Sequence, residues 1–187
     1  MMHSCLTIGD ISNIIGDMLK KKARERILDF LLWRPAGQFY EKEIAEVVGL
    51  SKSIVNLIMA RLLQEGWVLL EKKGRLNFYQ ADLNSVKVRG YKKNLTIDRL
   101  RQLIEYLTGK AERLVLFGSA ALGEDTDVSD LDLLIVSEKS LKRKEIQELI
   151  PEGRQVQLLV KTPDEFRELR NKNQVLYLAV LQGERLI

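Results

Sequence analysis

Gly118-Ser119, followed ten residues later by Asp130 and Asp132, is the set of residues best suited to chemistry in this chain. The glycine ends a short apolar run at 114–117, the length of a buried strand. A glycine after a strand lets backbone N–H groups approach a phosphate closely, and the Ser119 hydroxyl adds a further donor. Residues two apart on a strand point to the same face. Asp130 and Asp132 therefore present two carboxylates side by side, with Leu131 and Leu133 turned into core. Paired hard oxygens suit Mg2+ or Mn2+. Such an ion takes one or two carboxylates and fills its shell with water and substrate phosphates. The chemistry implied is binding of a metal–nucleoside triphosphate (NTP), as substrate or as ligand.

The elements that must position these residues are legible around them. Residues 120–122 begin a helical turn, and Gly123 opens an acidic loop holding Glu124, Asp125 and Asp127. A second strand carries the two aspartates into Leu133, Leu134, Ile135 and Val136. Residues 145–150 form a short helix. The segment RQVQLLV, 154–160, alternates as a strand, with Val156 and Leu158 on one face and Gln155, Gln157 and Leu159 on the other. Pro163 starts a helix over 163–172; Asp164 and Glu165 either reach toward the paired aspartates or, the better fit, are dipole-complementing acids in its first turn. A last helix runs into Gly183 before a short tail of strand or coil.

A Gly-Ser turn, ten residues and an Asp-x-Asp strand resemble the polymerase-β-type nucleotidyltransferases, and in size most resemble their minimal branch. The resemblance covers residues 111–187. It implies a small mixed sheet flanked by helices and transfer of a nucleoside monophosphate to a hydroxyl, with pyrophosphate leaving. Two metal ions clamp the attacking and leaving oxygens in such enzymes. It also implies that Gly118 and Ser119 bind the triphosphate, and that Asp130 and Asp132 are the catalytic and metal-holding residues. A third carboxylate usually stands on a later strand, and the position that aligns with it here is Gln157. A neutral amide is a poor Mg2+ ligand and no general base. Triphosphate binding should survive that change while the chemical step suffers. Minimal nucleotidyltransferases include antitoxin partners of HEPN-type proteins and modifiers of small molecules, so a protein or small-molecule acceptor is implied. The chain is too short for the surfaces that templated polymerisation needs.

The front of the chain carries a different pattern. Residues 20–34 place Ile27, Leu28, Leu31 and Leu32 at helical spacing, and Pro35 and Gly37 stop that helix. Residues 41–48 form a second helix with Ile44, Ala45 and Val48 inward. Ser51 caps a third, whose expected apolar face is Ile54, Val55, Ile58 and Leu62, with Gly66 just past its end. Strands at 67–71 and 76–80 follow, joined by the turn KKGR. The order helix, helix, turn, helix, hairpin is similar to the winged helix-turn-helix regulators of bacteria and archaea. In that family the third helix enters the DNA major groove. The resemblance places Lys52, Ser53, Asn56 and Arg61 at DNA, with Lys72, Lys73 and Arg75 of the wing on phosphates or in the minor groove. A homodimer on two half-sites is the modest further implication.

Between these parts, Lys87, Arg89, Lys92 and Lys93 make the most basic stretch of the chain. It either extends a phosphate-binding surface or is a solvated linker. Thr96 is expected to cap a helix carrying Ile97, Leu100, Leu103, Ile104 and Leu107. The expected class is α+β: a winged helix-turn-helix at 17–82, a helical basic linker at 83–110 and a nucleotidyltransferase fold at 111–187.

Composition limits the alternatives. The 187 residues carry a net charge of +4. Residues 1–82 hold 12 basic and 10 acidic groups, 83–112 hold 7 and 3, and 113–187 hold 11 and 13. The front is therefore basic and the back acidic, the asymmetry of two parts with different ligands. Cys5 is the only cysteine, so no internal disulfide forms and a reducing, cytoplasmic setting is expected. His3 is the only histidine, which leaves no histidine-dependent catalysis and, with Cys5, no expected metal site. No apolar run approaches the roughly 20 residues of a membrane span, and residues 1–16 lack the pattern of a secretion signal. Two functions stay open. One is a nucleotidyltransferase localised by its DNA-binding part. The other is a transcriptional regulator whose nucleotidyltransferase-like domain binds nucleotide with little or no turnover.

Overall fold

The computed structural model describes residues 8–126, 128–150 and 155–187; His3, Cys5, Asp127 and Arg154 lie outside them. The chain divides into two compact units, Met1–Asp82 and Leu83–Ile187. Both mix helices with a small sheet.

The first unit opens with a long helix, α1 (Ile8–Trp33), which starts well before the expected residue 20. A two-residue strand, β1 (Phe39–Tyr40), leads into α2 (Glu41–Val48) and α3 (Lys52–Gln64). The Ser51 hydroxyl caps α3 by accepting from the Ile54 N–H at 3.4 Å. Strands β2 (Val68–Lys73) and β3 (Leu76–Ala81) form a hairpin, and β1 joins the far side of β3. All pairs are antiparallel. The hairpin turns on Gly74-Arg75, so Lys72 and Lys73 belong to the strand and not to the turn. Gly74 has φ +61°, which is why a glycine stands at the tip.

One expected core residue of α3 is corrected. Ile54 is 42% exposed, while Met59 is fully buried. The buried stripe is Val55, Ile58, Met59 and Leu62, spaced three and four apart. Ile54 sits one residue off that stripe, about 100° around the helix from Val55, and faces out with Leu57.

The second unit begins with α4 (Val86–Arg99) and α5 (Arg101–Leu107). Then come β4 (Arg113–Phe117), α6 (Gly118–Leu122), β5 (Leu131–Val136), α7 (Arg143–Glu148) and β6 (Val156–Lys161). The unit ends with α8 (Pro163–Lys172), α9 (Gln174–Leu181) and β7 (Glu184–Arg185). The sheet order is β6-β5-β4-β7, with β5 and β6 parallel and the other pairs antiparallel. Leu114, Leu116, Leu131, Leu133, Ile135 and Leu158 pack on one side against Leu100, Leu103 and Leu107, the alanines of α6 and Ile146 of α7. Val115, Phe117, Leu134 and Val136 pack on the other against Phe166, Leu169 and Val180 of α8 and α9. Both faces of the two central strands are covered. That explains their nearly unbroken apolar sequences.

Residues 83–110, expected as a linker, lie inside this second unit, and three of their leucines are fully buried in its core. Thr96 is also not a cap. It is 2% exposed in the interior of α4, and its hydroxyl donates back to the Lys92 carbonyl at 3.2 Å. The helix breaks at Leu100 instead, whose φ −85° and ψ 3° leave the helical region.

Candidate functional site

The site is built at one end of the sheet, where β4 leaves it and β5 enters. Antiparallel pairing puts Phe117 opposite Asp132, so Gly118 directly follows the residue that faces the carboxylate strand. Gly118 has φ +67°, and a Cβ there would fall 2.3 Å from Asp132 Oδ2. Only glycine allows the backbone to lie against that carboxylate. Ser119 follows, half-buried, and its carbonyl accepts from the Glu124 N–H at 2.9 Å. This bond folds the acidic loop back over α6.

Asp130 is exposed, whereas Asp132 is half-buried between buried leucines. Burial raises the Asp132 pKa above the usual carboxylate range, and the Asp130 charge raises it further. Two carboxylates that repel in this way could hold a divalent cation, whose charge would relieve both effects. Their hard oxygens fit Mg2+ or Mn2+, with the remaining positions open to water and phosphate. Among the described residues no cluster of three or more such donors occurs.

The parallel register sets Gln157 directly beside Asp132, and Gln157 is exposed. The position expected for a third acid thus adjoins the carboxylate pair and carries an amide. The nearby acids of α8 are engaged elsewhere. Thr162 N–H donates to Glu165 Oε2 at 2.9 Å, Glu165 N–H donates to the Thr162 hydroxyl at 3.2 Å, and Asp164 pairs with Arg167. That is a capping box, as first-turn acids favour.

Residues 97–181 match the nucleotidyltransferase domain family. The matched segment starts in the last turn of α4, spans the whole carboxylate end of the sheet and stops at the end of α9. No curated protein and no solved structure matches the chain. Among the described residues no helix is long and apolar enough to cross a membrane.

Two acids of the loop that Gly123 opens are not part of the open carboxylate site. Asp125 is fully buried and paired with Lys92 of α4, and Glu124 lies 3.6 Å from Arg89. The basic stretch therefore neutralises the acidic loop in place of extending a phosphate surface at these two residues. Lys93 is likewise taken up, 2.8 Å from Glu184.

In the first unit, Lys52, Ser53, Asn56 and Arg61 are all exposed on α3, and Lys72, Lys73 and Arg75 are exposed on the hairpin. Lys73 is held: its ammonium donates to Gln38 Oε1 at 2.6 Å and lies 3.4 Å from Glu71. A groove of about 300 Å³ missed in the sequence runs between α1 and α3, lined by Lys20, Lys21, Arg24 and Arg61 with a single acid, Glu65. Charges one helix apart give no local sequence signal. Only the packing of α1 on the same face as Arg61 gathers them.

The raised Asp132 pKa gives a pH prediction. The folded, cation-free chain holds that proton more tightly than the unfolded chain. The Asp132 contribution to stability should therefore rise as pH falls from neutral through the raised folded pKa, and level off below the ordinary unfolded value. The difference in melting temperature between the wild type and Asp132→Asn, measured without divalent ions, should follow this trend. Equal slopes for the two proteins would remove the assignment.

Proposed function

We propose that the chain binds a metal–NTP at Gly118, Ser119, Asp130 and Asp132 and transfers a nucleoside monophosphate to an acceptor hydroxyl, with its first unit acting on DNA as a winged helix-turn-helix. The observation that carries the first part is the contact of Gly118 with the Asp132 carboxylate beside Asp130. A triphosphate on the Gly118-Ser119 backbone would meet a cation held by the two acids. In the transfer, the acceptor oxygen bonds to the α-phosphorus, the bond from that phosphorus to the bridging oxygen breaks, and pyrophosphate departs. A bound divalent ion would neutralise charge on the phosphates. Asp130 and Asp132 would hold it, and Gly118 would keep the backbone close. The proton of the acceptor hydroxyl goes to solvent, because the Gln157 amide cannot accept it.

Calorimetric titration with Mg–ATP, Mg–GTP, Mg–CTP and Mg–UTP tests the binding. At least one should bind, and Asp130→Ala/Asp132→Ala should lower its affinity by about a hundredfold or more, the loss of charge-assisted contacts to a cation. Absence of binding by all four would refute the nucleotide reading.

Gln157 beside Asp132 favours a second reading, a transcriptional regulator whose domain senses nucleotide without turnover. Incubation with α-labelled NTPs and cell extract separates the two. A labelled product lost in the double variant supports transfer to a protein or small-molecule acceptor, and tight binding without label supports the sensor.

The DNA reading rests on α3, exposed from Lys52 to Arg61 along one side, and on a two-residue hairpin turn bearing Arg75. Binding should weaken steeply with salt, as counterion release requires. Lys52→Ala/Arg61→Ala should lower affinity about tenfold and reduce the salt slope by about two. A gel shift at several salt concentrations measures both. Wild-type affinity in that variant would exclude α3 as the contacting helix.

A further inference from the structure

We infer that Lys92 and Asp125 form a latch that positions the carboxylates Asp130 and Asp132 from helix α4. The inference rests on the nucleotide-site reading above and adds a residue outside the family-matched segment, since Lys92 precedes Ile97.

Lys92 is 1% exposed and Asp125 fully buried, and the ammonium donates to Asp125 Oδ1. Two ions so far removed from water are expensive to bury, and apolar residues would pack there at no greater cost. What an ion pair adds is direction: one loop position is held to one helix position. The neighbouring groups reinforce that address. Gly123 lies so close to α4 that a Cβ would fall 2.1 Å from the Arg89 carbonyl oxygen. Arg89 faces Glu124 at 3.6 Å, and its guanidinium also donates to the Leu83 carbonyl at 2.9 Å. Thr96 bonds to the Lys92 carbonyl, and Lys93 is held by Glu184.

From Asp125 the chain has only five residues in which to reach Asp130. The described part of that span is tight. Ser129 N–H donates to the Thr126 carbonyl at 3.0 Å, and Thr126 N–H donates to the Ser129 hydroxyl at 2.9 Å. At the far end, Leu131 N–H donates to the Gln155 carbonyl at 2.9 Å and enters the sheet. Asp130 is thus the last residue of a loop fixed at one end by β5 and at the other by Lys92. Removing the latch loosens the end that the sheet does not hold, leaving it only the contacts of Gly123 and Glu124.

The test uses the full chain with two variants, Lys92→Met/Asp125→Asn, which removes both charges at similar volume, and the swapped pair Lys92→Asp/Asp125→Lys. Hydrogen exchange without ligand is read at amides 124–130 and, as a reference, at 133–136 in β5. Mn2+ binding is read by electron paramagnetic resonance. The uncharged pair should exchange at least tenfold faster at 124–130 with β5 unchanged, and bind Mn2+ at least tenfold more weakly. The swapped pair should recover at least half of each loss on a logarithmic scale. Unchanged loop exchange overturns the latch. Faster exchange throughout the second unit also overturns it, making the pair an ordinary core contact, as does failure of the swapped pair to restore the loop. If wild-type protein binds neither Mn2+ nor any Mg–NTP, the nucleotide reading fails, and loop exchange alone decides whether Lys92 holds the segment.

Discussion

Gln157→Asp should raise the rate of nucleoside monophosphate transfer by about a hundredfold, the lower range for a positioned general base. The parallel pairing of β5 and β6 puts residue 157 beside Asp132, on a neighbouring strand about 4.8 Å away. Residue 157 is exposed, so a carboxylate there meets no burial cost. It would add a third acid to the pair and could accept the proton of the attacking hydroxyl, which an amide cannot. Without a cation, its charge should raise the Asp132 pKa further, as Asp130 already does. With a cation bound, that repulsion turns into added affinity.

Pyrophosphate release measures the gain, with each NTP and with cell extract as the source of acceptor. Gln157→Glu is the companion, since its longer arm overshoots and should gain less. A rise in Mg2+ affinity with no rise in pyrophosphate release would leave the sensor reading ahead. No change in either would exclude position 157 from the site.

The placement of the Gly-Ser turn and the two aspartates at one end of the sheet was legible because the candidate site lies in one short stretch joined by a strand, a helical turn and a strand. Residue spacing there translates directly into geometry. The position of Gln157 was legible for a similar reason: strand alternation fixes its face, and that face adjoins Asp132. The latch was not legible. Lys92 and Asp125 are 33 positions apart, and a lysine in a polar helix gives no local sign that it will be buried. Four nearby cations on 87–93 looked like a solvated or phosphate-facing stretch, yet Arg89, Lys92 and Lys93 each face an acid within the second unit. Ile54 and Thr96 were misassigned on a smaller scale. An isoleucine one residue off a buried stripe, and a threonine that bonds to its own helix, differ from a core residue and a cap only through neighbours that periodicity does not record.

Gly123→Ala should destabilise the second unit by about 3–5 kcal/mol, combining the left-handed strain of an L-residue with overpacking. Gly123 has φ +70°, and its Cβ would lie 2.1 Å from the Arg89 carbonyl oxygen, 2.7 Å from the carbonyl carbon and 3.0 Å from the Arg89 Cα. All three are backbone atoms of α4, so no side chain can swing aside. Relief requires moving the helix or the loop, and both are tied by Lys92 and Asp125. Gly74→Ala separates the two contributions. Its φ of +61° is similar, yet nothing lies within 4 Å of the added atom. It should cost only about 1–2 kcal/mol, the conformational part. Melting of the full chain, followed by near-ultraviolet circular dichroism and by hydrogen exchange in β5, assigns each loss to its unit. Equal costs at the two glycines would mean that α4 yields freely, and would remove the close approach of α4 to the loop as a constraint on the carboxylate site.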